Sequence, residues 1–132
     1  MISTQNNIFH IRTETYSYLM RVNSYGIVEH LHFGAPVRSE DAEGFLCRPG
    51  LGWGCCLLLE DKDTASGLDD KALEWSGSGR GDYRESPLEL AGQPSDFRFE
   101  GFEILQGSVS MSCSLPQAHG ADETLVITLA QK

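Results

Sequence analysis

A chain of 132 residues holds one domain's worth of hydrophobic core, and a 40% share of hydrophobic residues is enough to fill it. The 14 glycines and 5 prolines ask for many turns between short elements, which argues against disorder. A formal net charge of −9, with no stripe of Lys and Arg interleaved with aromatics, opposes a polyphosphate backbone and excludes nucleic acid as a partner. The longest apolar stretch, Cys55 to Leu59, is far short of the roughly 18 to 20 residues that a membrane helix needs, so no membrane partner is expected. The start, Met1 to Asn7, lacks a basic segment followed by an apolar one, and the expected location is the cytoplasm. Reduced, buried thiols are the default for Cys47, Cys55, Cys56 and Cys113, because adjacent cysteines are poorly placed to bridge each other.

In chain order, Ile8 to Thr13 alternates Phe9 and Ile11 against His10 and Arg12, the period of a half-buried strand. Tyr16 to Asn23 places Tyr16, Tyr18, Met20 and Val22 on one face, and Asn23-Ser24-Tyr25-Gly26 offers a turn. The second arm, Ile27 to Phe33, sets Ile27, Glu29, Leu31 and Phe33 against Val28, His30 and His32, and ends at Gly34-Ala35-Pro36. Residues 38 to 78 form an irregular excursion punctuated by glycines, with short strands expected at Cys55 to Glu60 and at Ala72 to Trp75. Tyr83 to Leu90, Asp96 to Leu105 and Thr124 to Ala130 are further β-prone runs. No segment sustains helical periodicity over 11 residues, and the expected class is all-β: a single domain of antiparallel strands spanning 1–132.

The motifs that promise chemistry are few. Asp82 with Glu85, and Asp96 with Glu100, are carboxylate pairs, but Arg84 and Arg98 stand between their members and favour ionised, structural carboxylates over acid catalysis. Opposite charges at i and i+2, in Asp82/Arg84 and Asp96/Arg98, predict an ion-pair network that is structural or interdomain. His30 and His32, read as sharing a strand face, raise the question of a metal. The cysteines join them at no zinc-ligand spacing, so satisfied or exposed histidines are expected and no metal or cofactor is. Gly50 to Gly54 is glycine-rich, yet no Gly-Lys-Ser/Thr follows to hold phosphate. Trp53 in that loop is a platform for the apolar face of a sugar, or a plug packed on the sandwich.

An ordered set of segments runs the length of the chain: Phe9-His10-Ile11, Ser17 to Met20, Glu29 to Gly34, Gly81-Asp82-Tyr83-Arg84-Glu85-Ser86-Pro87, Ser95-Asp96-Phe97-Arg98-Phe99, and Glu123 to Leu129. This set resembles the N-terminal region of glycoside hydrolase family 36 α-galactosidases. The resemblance implies a β-supersandwich preceding a catalytic (β/α)8 barrel, in which two aspartates act as nucleophile and acid/base of a retaining mechanism. Neither aspartate matches a position here, so no catalytic residue is assigned. Asp82, Tyr83, Arg84, Asp96, Phe97 and Arg98 are implied to be structural. Where the family reads Asp-Phe-Arg-Tyr with a histidine three residues later, this chain has Phe99 and then Phe102. The resemblance further implies a homo-oligomer of the full-length protein, with the loop that holds Asp41 and Trp53 at the substrate entrance of a neighbouring subunit.

Three functions follow as expectations. The first is a non-catalytic scaffold and assembly domain of an α-galactosidase, a fragment of a longer enzyme whose partner is its own barrel and whose substrates are galactosides. The second is a free-standing carbohydrate-binding β-sandwich, and the third a purely structural interaction domain with an exposed apolar patch.

Overall fold

A computed structural model of the chain describes residues 1–46, 68, 71–77, 85–110 and 120–132. Six strands and one 3₁₀ segment are described: β1 (Ile2–Gln5), β2 (Ile8–Arg12), β3 (Ser17–Val22), β4 (Val28–Gly34), the 3₁₀ segment Ser39–Phe45, β5 (Phe97–Gln106) and β6 (Glu123–Gln131). The first four make an antiparallel sheet in the order β1-β2-β3-β4, and β5 pairs with β6 in a second, two-stranded sheet. The all-β class expected from the alternation is what the fold shows.

Each hairpin has a local cause. Asn6 and Asn7, at φ of 51° and 62°, adopt the left-handed conformation that a tight two-residue turn demands, and so bring β1 back along β2. Between β2 and β3, the Thr13 hydroxyl accepts the Thr15 and Tyr16 amides at 3.2 and 3.0 Å. Between β3 and β4, Asn23 Oδ1 accepts the amides of Tyr25 and Ile27, while Gly26 takes the positive φ of 75° that the turn requires. Phe99 of β5 donates its amide to the Gly26 carbonyl at 2.7 Å. That contact ties the tip of the hairpin to the second sheet.

The core lies between the two sheets. Phe9, Met20, Val22 and Val28 are buried there against Phe99, Leu125, Ile127 and Leu129 of the β5–β6 ribbon. The opposite face of the four-stranded sheet is covered by the 3₁₀ segment, whose Ala42 is fully buried against Leu19 and Leu31, with Ile8, Val37 and Phe45 around them. A buried cross-strand pair, Arg21 Nε to Glu29 Oε2 at 2.6 Å, lies among the polar residues on this side, and Arg21 also reaches Glu43 of the 3₁₀ segment at 3.6 Å.

Two β-bulges redirect side chains that strict alternation would misplace. On β4 the register jumps from Met20↔His30 to Leu19↔His32, leaving Leu31 as the extra residue. Leu31 joins the cluster under the 3₁₀ segment, while Phe33 returns to the face of Tyr18 and His30. The expected grouping of Leu31 with Phe33, and of His30 with His32, is therefore corrected: His30 lies against Tyr18 and His32 against Phe45, on opposite faces. On β5 the jump between Phe99 and Gly101 leaves Glu100 extra. Phe99 and Phe102, three residues apart, consequently both reach the ring of Phe9, at 6.0 and 5.0 Å between centroids.

Other expectations are also revised. The strand expected at Ala72 to Trp75 is a single bridge, Leu73 to Glu29, framed by His30 N–H to Ala72 O and Glu74 N–H to Val28 O along the edge of β4. The described part of the run Tyr83 to Leu90 is no strand. At Ser86-Pro87 the proline offers no amide, and the Ser86 hydroxyl donates to Leu88 O at 2.7 Å, a local alternative to ladder pairing. The strand expected at Cys55 to Glu60 lies outside the described residues.

Candidate functional site

Of the residues singled out from the sequence, Trp53, Asp82, Tyr83 and Arg84 lie outside the described residues. Asp41 sits exposed in the first turn of the 3₁₀ segment, with Arg38 Nε 3.3 Å from its carboxylate, and the solvation of both partners leaves that pair worth little. Asp96 and Arg98 are brought together. Arg98 Nε lies 2.6 Å from Asp96 Oδ1, and its Nη1 donates to the Tyr25 carbonyl at 3.0 Å, so one guanidinium joins the start of β5 to the β3–β4 turn. Both side chains are largely buried, 9% and 15% exposed. Phe97 packs edge-on against Trp75. Asp96 thus spends its carboxylate on Arg98, which suits a brace between sheets and not a member of a hydrolytic pair.

Two clusters were not singled out from the sequence. The first centres on His10, 4% exposed in β2. Ser17 Oγ accepts the Val37 amide at 3.1 Å and hydrogen-bonds His10 Nε2 at 2.9 Å. The other ring nitrogen, Nδ1, hydrogen-bonds Ser39 Oγ at 2.8 Å, pinning the 3₁₀ segment to the sheet. A cavity of about 280 Å³ opens beside it, lined by Ser3, Gln5, Ser39, Glu40 and Glu43. Burial, with the charges of Arg12 and His32, lowers the His10 pKa from its ordinary 6.5, and Glu40 opposes the shift only partly. Folding therefore favours the neutral ring. The unfolded chain takes up a proton as pH falls through 6.5 and the folded chain resists, so stability present above that pH is lost below it, by at most about 1.4 kcal/mol per pH unit. Urea midpoints for the wild type should fall more between pH 7.5 and 5.5 than those of His10→Gln.

The second cluster is a row of rings at the edge of the inter-sheet face. Tyr18 lies between His30 (5.3 Å) and Phe33 (5.7 Å), and Tyr16 meets Phe33 at 5.8 Å. Glu74 closes the row, accepting the Tyr18 hydroxyl at 2.5 Å on Oε2 and His30 Nδ1–H at 2.7 Å on Oε1. Burial first, and Glu74 second, push the Tyr18 phenol well above its ordinary value, so it stays a protonated donor. Phe33 is 65% and Tyr16 40% exposed. The alternating tyrosines were visible in the sequence, but Phe33 and His30 share their face only because of the Leu31 bulge. Among the described residues, no group of three or more His, Cys, Asp or Glu is placed to hold a metal ion, and no helix is long and apolar enough to cross a membrane.

No protein-family model matches the chain. It is 26% identical, over 97% of its length, to α-galactosidase Mel36A of Lactobacillus acidophilus. Its fold overlays the galactosidase domain of the α-galactosidase–sucrose kinase AgaSK with a TM-score of 0.84, at 26% identity over the whole chain. The chain resembles the N-terminal domain of glycoside hydrolase family 36 α-galactosidases. A family 36 enzyme of Geobacillus stearothermophilus, AgaA, solved in complex with raffinose, also matches at 26% identity over 94% of the chain, with a TM-score of 0.77. The coverage is lopsided: the chain spans 18–19% of the length of these family 36 relatives. Antiparallel strands in two sheets agree with the all-β sandwich that the resemblance implied.

Proposed function

We propose that this chain is the non-catalytic N-terminal scaffold and assembly domain of an α-galactosidase, working with a (β/α)8 barrel that carries the two catalytic carboxylates and acts on terminal α-galactosides. The observation behind this reading is the lopsided coverage, in which nearly the whole chain matches less than a fifth of each relative. The chemistry agrees with it. Retaining hydrolysis needs two carboxyl groups about 5 to 5.5 Å apart across a sugar. Among the described carboxylates, Asp96 is engaged with Arg98, Glu29 with Arg21 and Asn23, and Glu74 with Tyr18 and His30. Each serves the fold or a neighbouring donor. In the full-length homo-oligomer, the segment with Asp41 and Trp53 stands at the substrate entrance, and the motif residues Asp82, Tyr83, Arg84, Asp96, Phe97 and Arg98 hold the domain together.

The test is hydrolysis of 4-nitrophenyl α-D-galactopyranoside. The 132-residue chain alone should release no nitrophenol above background, and the same chain joined to the barrel of a family 36 relative, in place of the matching segment, should restore turnover. Turnover by the isolated chain would overturn the scaffold reading, and an inactive but folded fusion would overturn its assignment to this enzyme class.

A further inference from the structure

The row of rings closed by Glu74 has a chemistry that assembly does not explain. Tyr18 and His30 both donate to Glu74, so the carboxylate is held rigidly beside the rings with lone pairs to spare on each oxygen. The His30 side chain is about a third exposed, with no hydrogen bond to Nε2 from any described residue, so that nitrogen is open to a hydroxyl. On the other side of the Tyr18 ring stands Phe33, 65% exposed, in ring contact with Tyr16 and Tyr18. An open aromatic face beside fixed acceptors is complementary to a ligand with one apolar C–H face and several hydroxyl donors. The carboxylate repels anions.

We infer that this surface binds a neutral saccharide, one hexopyranose stacking its C–H face on Phe33 while its hydroxyls donate to Glu74 and hydrogen-bond His30 Nε2. The row shares no residue with the Asp41 segment, and the inference stands whether or not the enzyme reading holds. A shallow site with one stacking ring holds its ligand weakly, with a dissociation constant on the order of 1 mM or above.

The experiment is a ¹H–¹⁵N titration of the 132-residue chain with methyl α-D-galactopyranoside, methyl β-D-glucopyranoside and glucuronate. At least one neutral glycoside should move the amides of Tyr16, Tyr18, His30, Phe33 and Glu74 together, and glucuronate should not. Phe33→Ala should weaken binding about tenfold, the worth of one lost stacking contact. Because that side chain is exposed, the variant should keep the wild-type spectrum elsewhere. Glu74→Gln, which keeps the shape and removes the charge, should weaken the neutral sugar and lessen the discrimination against glucuronate. Absence of shifts with either glycoside up to about 100 times that dissociation constant, or unchanged affinity in Phe33→Ala, would overturn the inference. Shifts at these amides that depend on protein concentration without sugar would also overturn it, by making the row a contact between copies.

Discussion

Phe9→Ala should lower the melting temperature by on the order of 10 °C or more, the equivalent of about 3–5 kcal/mol for emptying a buried aromatic site in a domain of this size. Phe9 is 1% exposed and reaches across the core to Phe99 and Phe102, so its ring is the main aromatic link between the two sheets. The loss should also be uneven. A two-stranded ribbon has no independent stability in water, and β5–β6 owes its order to what it packs against. Amide exchange in Phe97–Gln106 and Glu123–Gln131 should accelerate more than in β2 and β3, which keep each other as ladder partners. Phe9→Leu, which refills much of the volume, should recover about half of the loss. A Phe9→Ala variant that melts within 3 °C or so of the wild type, or with ribbon exchange unchanged, would mean that the sheets are joined by something other than this ring stack.

How much of this was legible beforehand depends on the reach of each signal. The alternation of Phe9 and Ile11 against His10, and of Tyr18, Met20 and Val22 against Leu19, marked β2 and β3 because each strand has one face in the inter-sheet core. β1 escaped notice because Ser3, Thr4 and Gln5 are exposed and carry no apolar period. Its cause is the Asn6-Asn7 turn, a weaker signal than Asn-Gly. The bulges at Leu31 and Glu100 shift faces by one residue, and periodicity alone has no term for an inserted residue. That is why His30 and His32 looked like neighbours on one face. The short 3₁₀ segment buries only Ala42 and so leaves no helical stripe. The clusters around His10 and Glu74 were invisible for a different reason. Their members are joined over 29 residues in one case and 56 in the other, and such pairing follows from topology. Of the pairs read from the sequence, Asp96 and Arg98, two residues apart at the start of β5, were close enough for their pairing to be read directly.

That pair sets up the second large effect. Arg98→Ala should cost about 3 kcal/mol, because it removes a guanidinium from a largely buried carboxylate and from the Tyr25 carbonyl at once. Arg38→Ala, at the exposed pair with Asp41, should stay within about 0.5 kcal/mol, since solvent already screens those charges. Salt separates the two further. Raising the salt to about 1 M shortens the screening length to about 3 Å and should erase what little Arg38 contributes, while the Arg98 deficit persists because ions do not reach between buried partners. Arg98→Lys tests the geometry. The arginine serves two acceptors from different nitrogens of one rigid fork, Nε to Asp96 and Nη1 to Tyr25, whereas a single ammonium in the same space reaches one of them well. Lysine should therefore recover part of the loss and leave the β3–β4 turn looser, seen as faster exchange of the Phe99 amide that docks on Gly26. Full recovery by lysine would show that charge alone suffices there. An Arg98→Ala variant as stable as the wild type would show that the two sheets do not depend on this brace.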